Sequence, residues 1–219
     1  ASKGETLRLM GRYEEALATF DQALELKPDY EWALASKGVT LLLMEHYEEA
    51  LKTLDQALAI DPNYDWALAA RGTTLRRMGH FYEALIALDQ ALALDPQDDW
   101  YYYQRGLTYA ALGKHQEAHA DYKTAIRLAQ ATLKEKSARA ATHFNLALYL
   151  LVAGQPNASI AAYQQGIAMA LGRWTLHEAL QDLTDLEAQE GKLPGMEEAI
   201  ELLQEALAAA PRNSKKKRT

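Results

Sequence analysis

The stretch that decides the fold is residues 66–99, WALAARGTTLRRMGHFYEALIALDQALALDPQDD, because its pattern recurs on both sides along the chain. Tryptophan opens this stretch at Trp66 and recurs 34 residues earlier and later, at Trp32 and Trp100. The same step relates small residues in three further registers: Gly4, Gly38, Gly72 and Gly106; Ala16, Ala50, Ala84 and Ala118; Ala23, Ala57, Ala91 and Ala125. A fixed period of this length predicts an array of repeated structural units.

Each unit has room for two helices joined by a short turn. Leu51, Leu54 and Leu58 are three and four residues apart, which places them on one helix face. Proline closes each unit because it cannot continue a helix, and it stands at Pro28, Pro62 and Pro96. Glycine is expected to end the first helix in the left-handed conformation. The turn residues at this place are Gly11, Glu45, Gly79 and Gly113, so Glu45 is the exception.

The period and the pattern resemble the tetratricopeptide repeat family, whose second helix carries alanine, a bulky residue, alanine and then proline. The residues that match are Ala16, Phe20, Ala23 and Pro28; Ala50, Leu54, Ala57 and Pro62; and Ala84, Leu88, Ala91 and Pro96. The resemblance implies an all-α fold, a right-handed α-solenoid of stacked helix-turn-helix hairpins. In such a fold, small residues such as Gly72 let the paired helices approach closely.

We expect a single solenoid domain over residues 1–211, made of about six hairpins. The fifth hairpin is placed from Ala140 because Gly154, Tyr163 and Gly166 fit the pattern, and the sixth is a divergent cap. The first unit lacks a counterpart of Trp32, so we expect the chain to be part of a longer protein. The predicted units are 1–28, 29–62, 63–98, 99–134, 140–173 and 174–211, followed by a basic, disordered tail at 212–219.

The resemblance places function on the first helix of each unit, which lines the concave side of such solenoids. It implies a mostly apolar groove for a peptide or helix, with Trp66 and Trp100 as anchors and Arg76 and Arg77 holding a carboxylate. A second interpretation of the tryptophans is packing on the neighbouring unit, and the sequence leaves both open. The implied binding residues are Trp32, Val39, Leu42, Leu43, Trp66, Thr73, Arg76, Arg77, Trp100, Tyr103 and Leu107.

A row of opposite charges follows the same period. Basic residues precede the helix glycine, and acidic residues recur in the second helices. Repeating charges of both signs are usually architectural, so we predict structural ion pairs rather than a binding stripe. The row consists of Lys3, Lys37, Arg71 and Arg105 with Asp21, Asp55 and Asp89, and Lys123 interrupts the acidic series.

Composition restricts the partners and the chemistry. Thirty acidic and 23 basic residues give a formal charge of -7, which argues against general affinity for nucleic acid or anionic membranes. The absence of cysteine excludes disulfides and thiolate metal sites, and with no secretory signal it favours the cytoplasm. His115 and His119 are four residues apart but lack an obvious third ligand. We therefore predict no metal, no cofactor and no enzymatic activity.

Two further functions stay open beside peptide binding. An uncovered N-terminal hairpin would allow self-association into a homo-oligomer. The array also resembles the C-terminal repeats of bacterial multidomain proteins, which implies a sensor or regulatory region of a larger signalling ATPase. Binding of heat-shock chaperone tails is not expected, because the basic clamp of that subgroup is replaced by Ala1, Glu5, Ser36, Trp100 and Gln104.

Overall fold

The computed structural model describes residues 2–135, 139–170 and 172–210, and every regular element in these ranges is an α-helix. The prediction of an all-α solenoid of helix-turn-helix hairpins is confirmed. The basic tail at 212–219, with its predicted disorder, lies outside the described residues. The helices are α1 (Ser2–Leu9), α2 (Tyr13–Leu26), α3 (Glu31–Leu43), α4 (Tyr47–Ile60), α5 (Asp65–Arg77), α6 (Phe81–Leu94), α7 (Asp99–Ala111), α8 (His115–Thr132), α9 (Ala140–Val152), α10 (Pro156–Met169), α11 (Arg173–Glu190) and α12 (Met196–Ala209).

Contacts divide the chain into two compact units, Ala1–Asp121 and Tyr122–Thr219. In the first unit, each second helix packs on the first helix of the next hairpin: α2 on α3, α4 on α5 and α6 on α7. The first helices also touch one another, α3 with α5 and α5 with α7. This nearest-neighbour stacking is the construction of a helical solenoid. A single domain over 1–211 stays a prediction.

The hairpins of the first unit close where a glycine of the first helix meets a large side chain of the second. A Cβ atom added to Gly38 would lie 2.6 Å from Leu54 Cγ, and one added to Gly72 would lie 2.7 Å from Leu88 Cγ. These distances are shorter than a carbon–carbon contact, so a larger residue would push the helices apart. The predicted packing role of Gly72 is confirmed.

The turns inside the hairpins use the left-handed backbone conformation. Gly11, Gly79 and Gly113 have φ angles of 68°, 82° and 71°, as glycine at a helix end predicts. Glu45 adopts the same conformation, with φ of 61°. Its Cβ makes this conformation costly, so the second hairpin carries backbone strain that the others avoid.

The predicted row of ion pairs is present in the first unit. Lys37 Nζ lies 2.6 Å from Asp21 Oδ1, and Arg71 Nε lies 2.7 Å from Asp55 Oδ1. Arg105 Nη1 donates to Asp89 at 2.7 Å, and its other nitrogens donate to both oxygens of Asp121 at 2.8 Å. Asp121 was not predicted as a partner. Its hydrogen bond is the main reason why the pKa of Arg105 is raised.

The second unit stacks its hairpins differently. Here the second helices α10 and α12 pack on each other, while the first helices α9 and α11 touch as the first helices do in the first unit. The small residue of the closest contact lies on the second helix, because a Cβ on Gly166 of α10 would lie 2.5 Å from Phe144 Cε1 of α9. Arg173 holds the ends of the last hairpin together: its Nη1 donates to the carbonyls of Leu207 and Ala210.

Candidate binding surface

The predicted binding residues lie on three neighbouring first helices of the first unit, and we call them the first-helix wall. Trp66, Thr73 and Arg77 are seven and four residues apart, so they share one face of α5. The equivalent positions repeat on α3 and α7, which both contact α5. The wall consists of Trp32, Val39, Leu42 and Leu43 on α3; Trp66, Thr73, Arg76 and Arg77 on α5; and Trp100, Tyr103 and Leu107 on α7.

The three tryptophans of the wall are half-buried. Trp32 meets Phe20 edge-on, with ring centroids 5.9 Å apart. Trp66 lies 6.0 Å from Tyr64, and Trp100 lies 5.2 Å from Tyr103, measured between ring centroids. Each indole also packs against a buried cluster that includes residues of the preceding repeat, as the packing interpretation predicts. Each still keeps exposed surface, so packing and partner contact are compatible.

Arg76 occupies the centre of the wall and is only 8% exposed. Its Nη2 donates a hydrogen bond to Oε1 of the buried Gln104 at 3.1 Å, which links α5 to α7. Arg76 and Arg77 also fall in the last turn of α5, where the negative end of the helix dipole favours cations. The pair therefore has a structural role, and it concentrates two positive charges at the C-terminal end of α5, the middle helix of the wall.

The remaining wall residues differ in accessibility. Val39, Leu42 and Thr73 are half-buried, and Leu43 is exposed. Tyr103 and Leu107 are buried, so they support the wall from beneath its surface. The Thr73 hydroxyl donates to the carbonyl of Ala69 at 2.9 Å and is engaged within its own helix. Direct contact of these residues with a partner stays a prediction.

Gln104 is the residue of this surface that sequence reasoning missed as a structural link. It was noted only as a residue that differs from a chaperone-tail clamp. Its position lies 34 residues after Ala70, where the preceding repeat has no polar side chain. A polar residue at a repeat position that is otherwise small and buried is the signal that could have identified it.

The described ranges contain neither a cluster of metal-ligand side chains nor a helix fit to span a membrane. No group of three histidine, cysteine, aspartate or glutamate side chains is placed to hold a metal ion there, and His115 and His119 are both exposed. None of the helices in these ranges is long and apolar enough to cross a membrane.

Comparison with known proteins agrees with this architecture. Three tetratricopeptide repeat profiles match residues 7–72, 72–113 and 99–171. No curated protein matches the chain. A solved tetratricopeptide protein of Thermus thermophilus, TTC0263, is 27% identical with a TM-score of 0.62, and the alignment covers 77% of this chain and 89% of that chain.

Two solved structures of MamA show the same fold at lower identity. One is 19% identical with a TM-score of 0.52, covering 76% of this chain and 93% of that one. The other, residues 41 to the end of MamA from Desulfovibrio magneticus RS-1, is 19% identical with a TM-score of 0.53, covering 77% and 91%. Repeat period, hairpin geometry and profile matches agree, and the chain belongs to the tetratricopeptide repeat family.

Proposed function

We propose that the protein is a non-enzymatic interaction module that binds a peptide or a helix of another protein on its first-helix wall. Proteins of the family generally mediate protein–protein interactions, and this supports the general class. One observation carries the choice of surface: a half-exposed tryptophan opens each of three adjacent first helices. Tryptophan is among the residues most favoured as binding anchors.

The arginine pair determines the chemistry of the proposed partner. Trp66 and Arg76 are ten residues apart on α5, which corresponds to about 15 Å along the helix axis. A partner segment anchored on Trp66 and Trp100 therefore has to extend about this far to reach the arginines. Guanidinium groups bind carboxylates through paired hydrogen bonds. The proposed ligand is an apolar or aromatic segment with an acidic residue about 15 Å from its apolar anchor.

A peptide library displayed on phage and selected against the whole chain tests this proposal. The selected peptides are expected to combine an aromatic or apolar residue with an acidic one. Replacing Trp66 with alanine and Arg77 with glutamine should weaken their binding at least tenfold, because both a contact surface and a charge are removed. Arg12→Gln is the matched control. It removes an exposed cation at the N-terminal cap of α2, which lies outside the wall.

Folding of each variant is checked by helical circular dichroism and by its thermal midpoint. Selected peptides without an acidic preference, or peptides that bind the folded double variant as tightly as the wild type, would contradict the proposal. Cytoplasmic location and self-association through the first hairpin stay predictions beside it. Self-association is supported by Met10, an apolar residue of that hairpin that is 55% exposed. Light scattering over a range of concentrations tests self-association.

A further inference from the structure

A row of exposed apolar side chains lies at the ends of the second helices of the first unit. Leu26, Ile60 and Leu94 are the last residues of α2, α4 and α6, and they are 89%, 42% and 44% exposed. They are 34 residues apart, so each occupies the same place in its repeat. The fourth equivalent, Leu128, is buried, and α8 continues past it to Thr132. The row is thus confined to three repeats, and we call it the apolar row.

The loops that follow these residues are strongly acidic. Residues 25–31, 59–65 and 93–99 contain one basic residue, Lys27, whose Nζ lies 4.9 Å from the centroid of the Tyr30 ring. The acidic residues in the same ranges are Glu25, Asp29, Glu31, Asp61, Asp65, Asp95, Asp98 and Asp99. The apolar row is therefore bordered by negative charge along its length.

The geometry of the loops keeps this charge close together. Asp65 accepts a hydrogen bond from the Tyr101 hydroxyl at 3.1 Å, which brings the second loop beside the start of α7. Asp98 caps α7 by accepting from the backbone N–H of Tyr101 at 3.0 Å. Burial, with Asp65 and Glu31 nearby, raises the pKa of Tyr64 to about 12. Burial, with Asp95 and Asp65 adding to it, raises the pKa of Asp98.

A ligand for this surface needs methylene groups for the apolar row and cations for the loops. Lysine and arginine side chains provide both, because their aliphatic stems lie on apolar surface while their charged ends reach polar groups. The spacing of the row adds a second requirement. Neighbouring first helices pack directly in this unit, so successive repeats are about 8–10 Å apart. An extended chain in the polyproline II conformation places every third residue on one face, about 9 Å apart.

The chain itself contains a segment with this chemistry and spacing. Residues 212–218 carry five basic residues and no acidic one. Every third position of this segment is basic, at Arg212, Lys215 and Arg218. We propose that the apolar row and its acidic loops form a docking surface for the segment 212–218 of a second copy of this chain. The three side chains would lie on Leu26, Ile60 and Leu94, with their charges directed to the loops.

Analytical ultracentrifugation of the full chain in about 50 mM salt tests the docking. Self-association is expected, and it should weaken at least fivefold in about 300 mM salt because the charges are screened. Replacing Arg212, Lys215, Lys216, Lys217 and Arg218 with serine should weaken association at least tenfold. Replacing Leu26, Ile60 and Leu94 with serine should weaken it at least fivefold, and these exposed side chains can be removed without opening the core.

The matched control is Tyr82→Ser with Ile86→Ser, which removes two apolar side chains of α6 that are 68% and 61% exposed and lie outside the row. This control should associate within twofold of the wild type. A monomeric wild-type chain at every concentration would overturn the proposal, as would association that survives the tail substitutions. Equal weakening in the row variant and in the control would show a general effect of surface hydrophobicity, and it too would overturn the proposal.

Discussion

Both units close their hairpins by packing a small residue of one helix against a large residue of the other, but they do so at different places in the repeat. In the first unit, Gly72 of the first helix meets Leu88 of the second. In the second unit, Gly166 of the second helix meets Phe144 of the first. Close helix packing therefore requires one small and one large residue, and either helix can supply the small one. This explains how a hairpin persists where its sequence pattern fades.

The two units also differ in how charged residues connect their helices. The first unit has an ion pair at each of three repeat interfaces, through Lys37, Arg71 and Arg105. The sequence range 140–172, which includes the helices α9 and α10, contains no aspartate, glutamate, lysine or arginine. There, Ser159 donates its hydroxyl to the carbonyl of Ala147 at 2.8 Å and links the helices without charge. Repetition in the first unit has been replaced by individual contacts in the second.

The largest effect is expected where the charge row ends. Arg105→Gln leaves the buried carboxylate of Asp121 without its cation, so we expect a loss of about 2–3 kcal/mol in the free energy of unfolding. Arg71→Gln breaks a pair whose acid, Asp55, is exposed, and it should cost about 0–1 kcal/mol. Urea unfolding of both variants measures the difference. Equal losses would contradict a special role for the last interface.

An intermediate effect is expected from filling the contact between Gly166 and Phe144. Gly166→Ala forces its new Cβ against the buried Phe144 ring, and we expect a net loss of about 1–2 kcal/mol after the gain in helix propensity. Phe144→Leu should then be less harmful in the Gly166→Ala background than in the wild type, because the smaller side chain makes room. A double-mutant cycle by urea unfolding measures this coupling. Additive losses would show that the two residues do not oppose each other.

The smallest effect is expected at the strained turn. Glu45→Gly relieves the left-handed conformation of a residue with a Cβ, and it should stabilise the protein by about 0.5–1 kcal/mol, since the strain relieved exceeds the added backbone entropy of glycine. Thermal unfolding measures the change. Glu48→Gly is the control, because the same substitution inside helix α4 should destabilise. A destabilised Glu45→Gly protein would disprove the strain.

Most of the fold could be predicted from the sequence because the period fixes several registers at once. Trp32, Trp66 and Trp100 set the step, and the partners of Lys37 and Arg71 follow from it. The bond from Arg76 to Gln104 could not be predicted, since it depends on which side chains face each other across two helices. The same holds for Asp121, which lies two residues before the interrupting Lys123.

The second unit was harder to predict in detail because its contacts occur once. The contact between Phe144 and Gly166 stands at the places of Ala69 and Ala91, so the period does not encode it. The hydrogen bonding of Arg173 to the end of α12 likewise leaves no periodic signal. The profile matches stop at residue 171, before the hairpin of α11 and α12 begins. The binding surface could be predicted in part. Its residues follow from the geometry of the family, but their burial depends on packing that the period does not encode.

The most direct test of binding at the first-helix wall is to map a library-selected peptide onto the isotope-labelled chain by nuclear magnetic resonance. We expect the largest shifts in the indole N–H signals of Trp66 and Trp100 and in the side chains of Arg76 and Arg77. Shifts confined to α9–α12, with these four residues unchanged, would contradict the assignment of recognition to the first-helix wall.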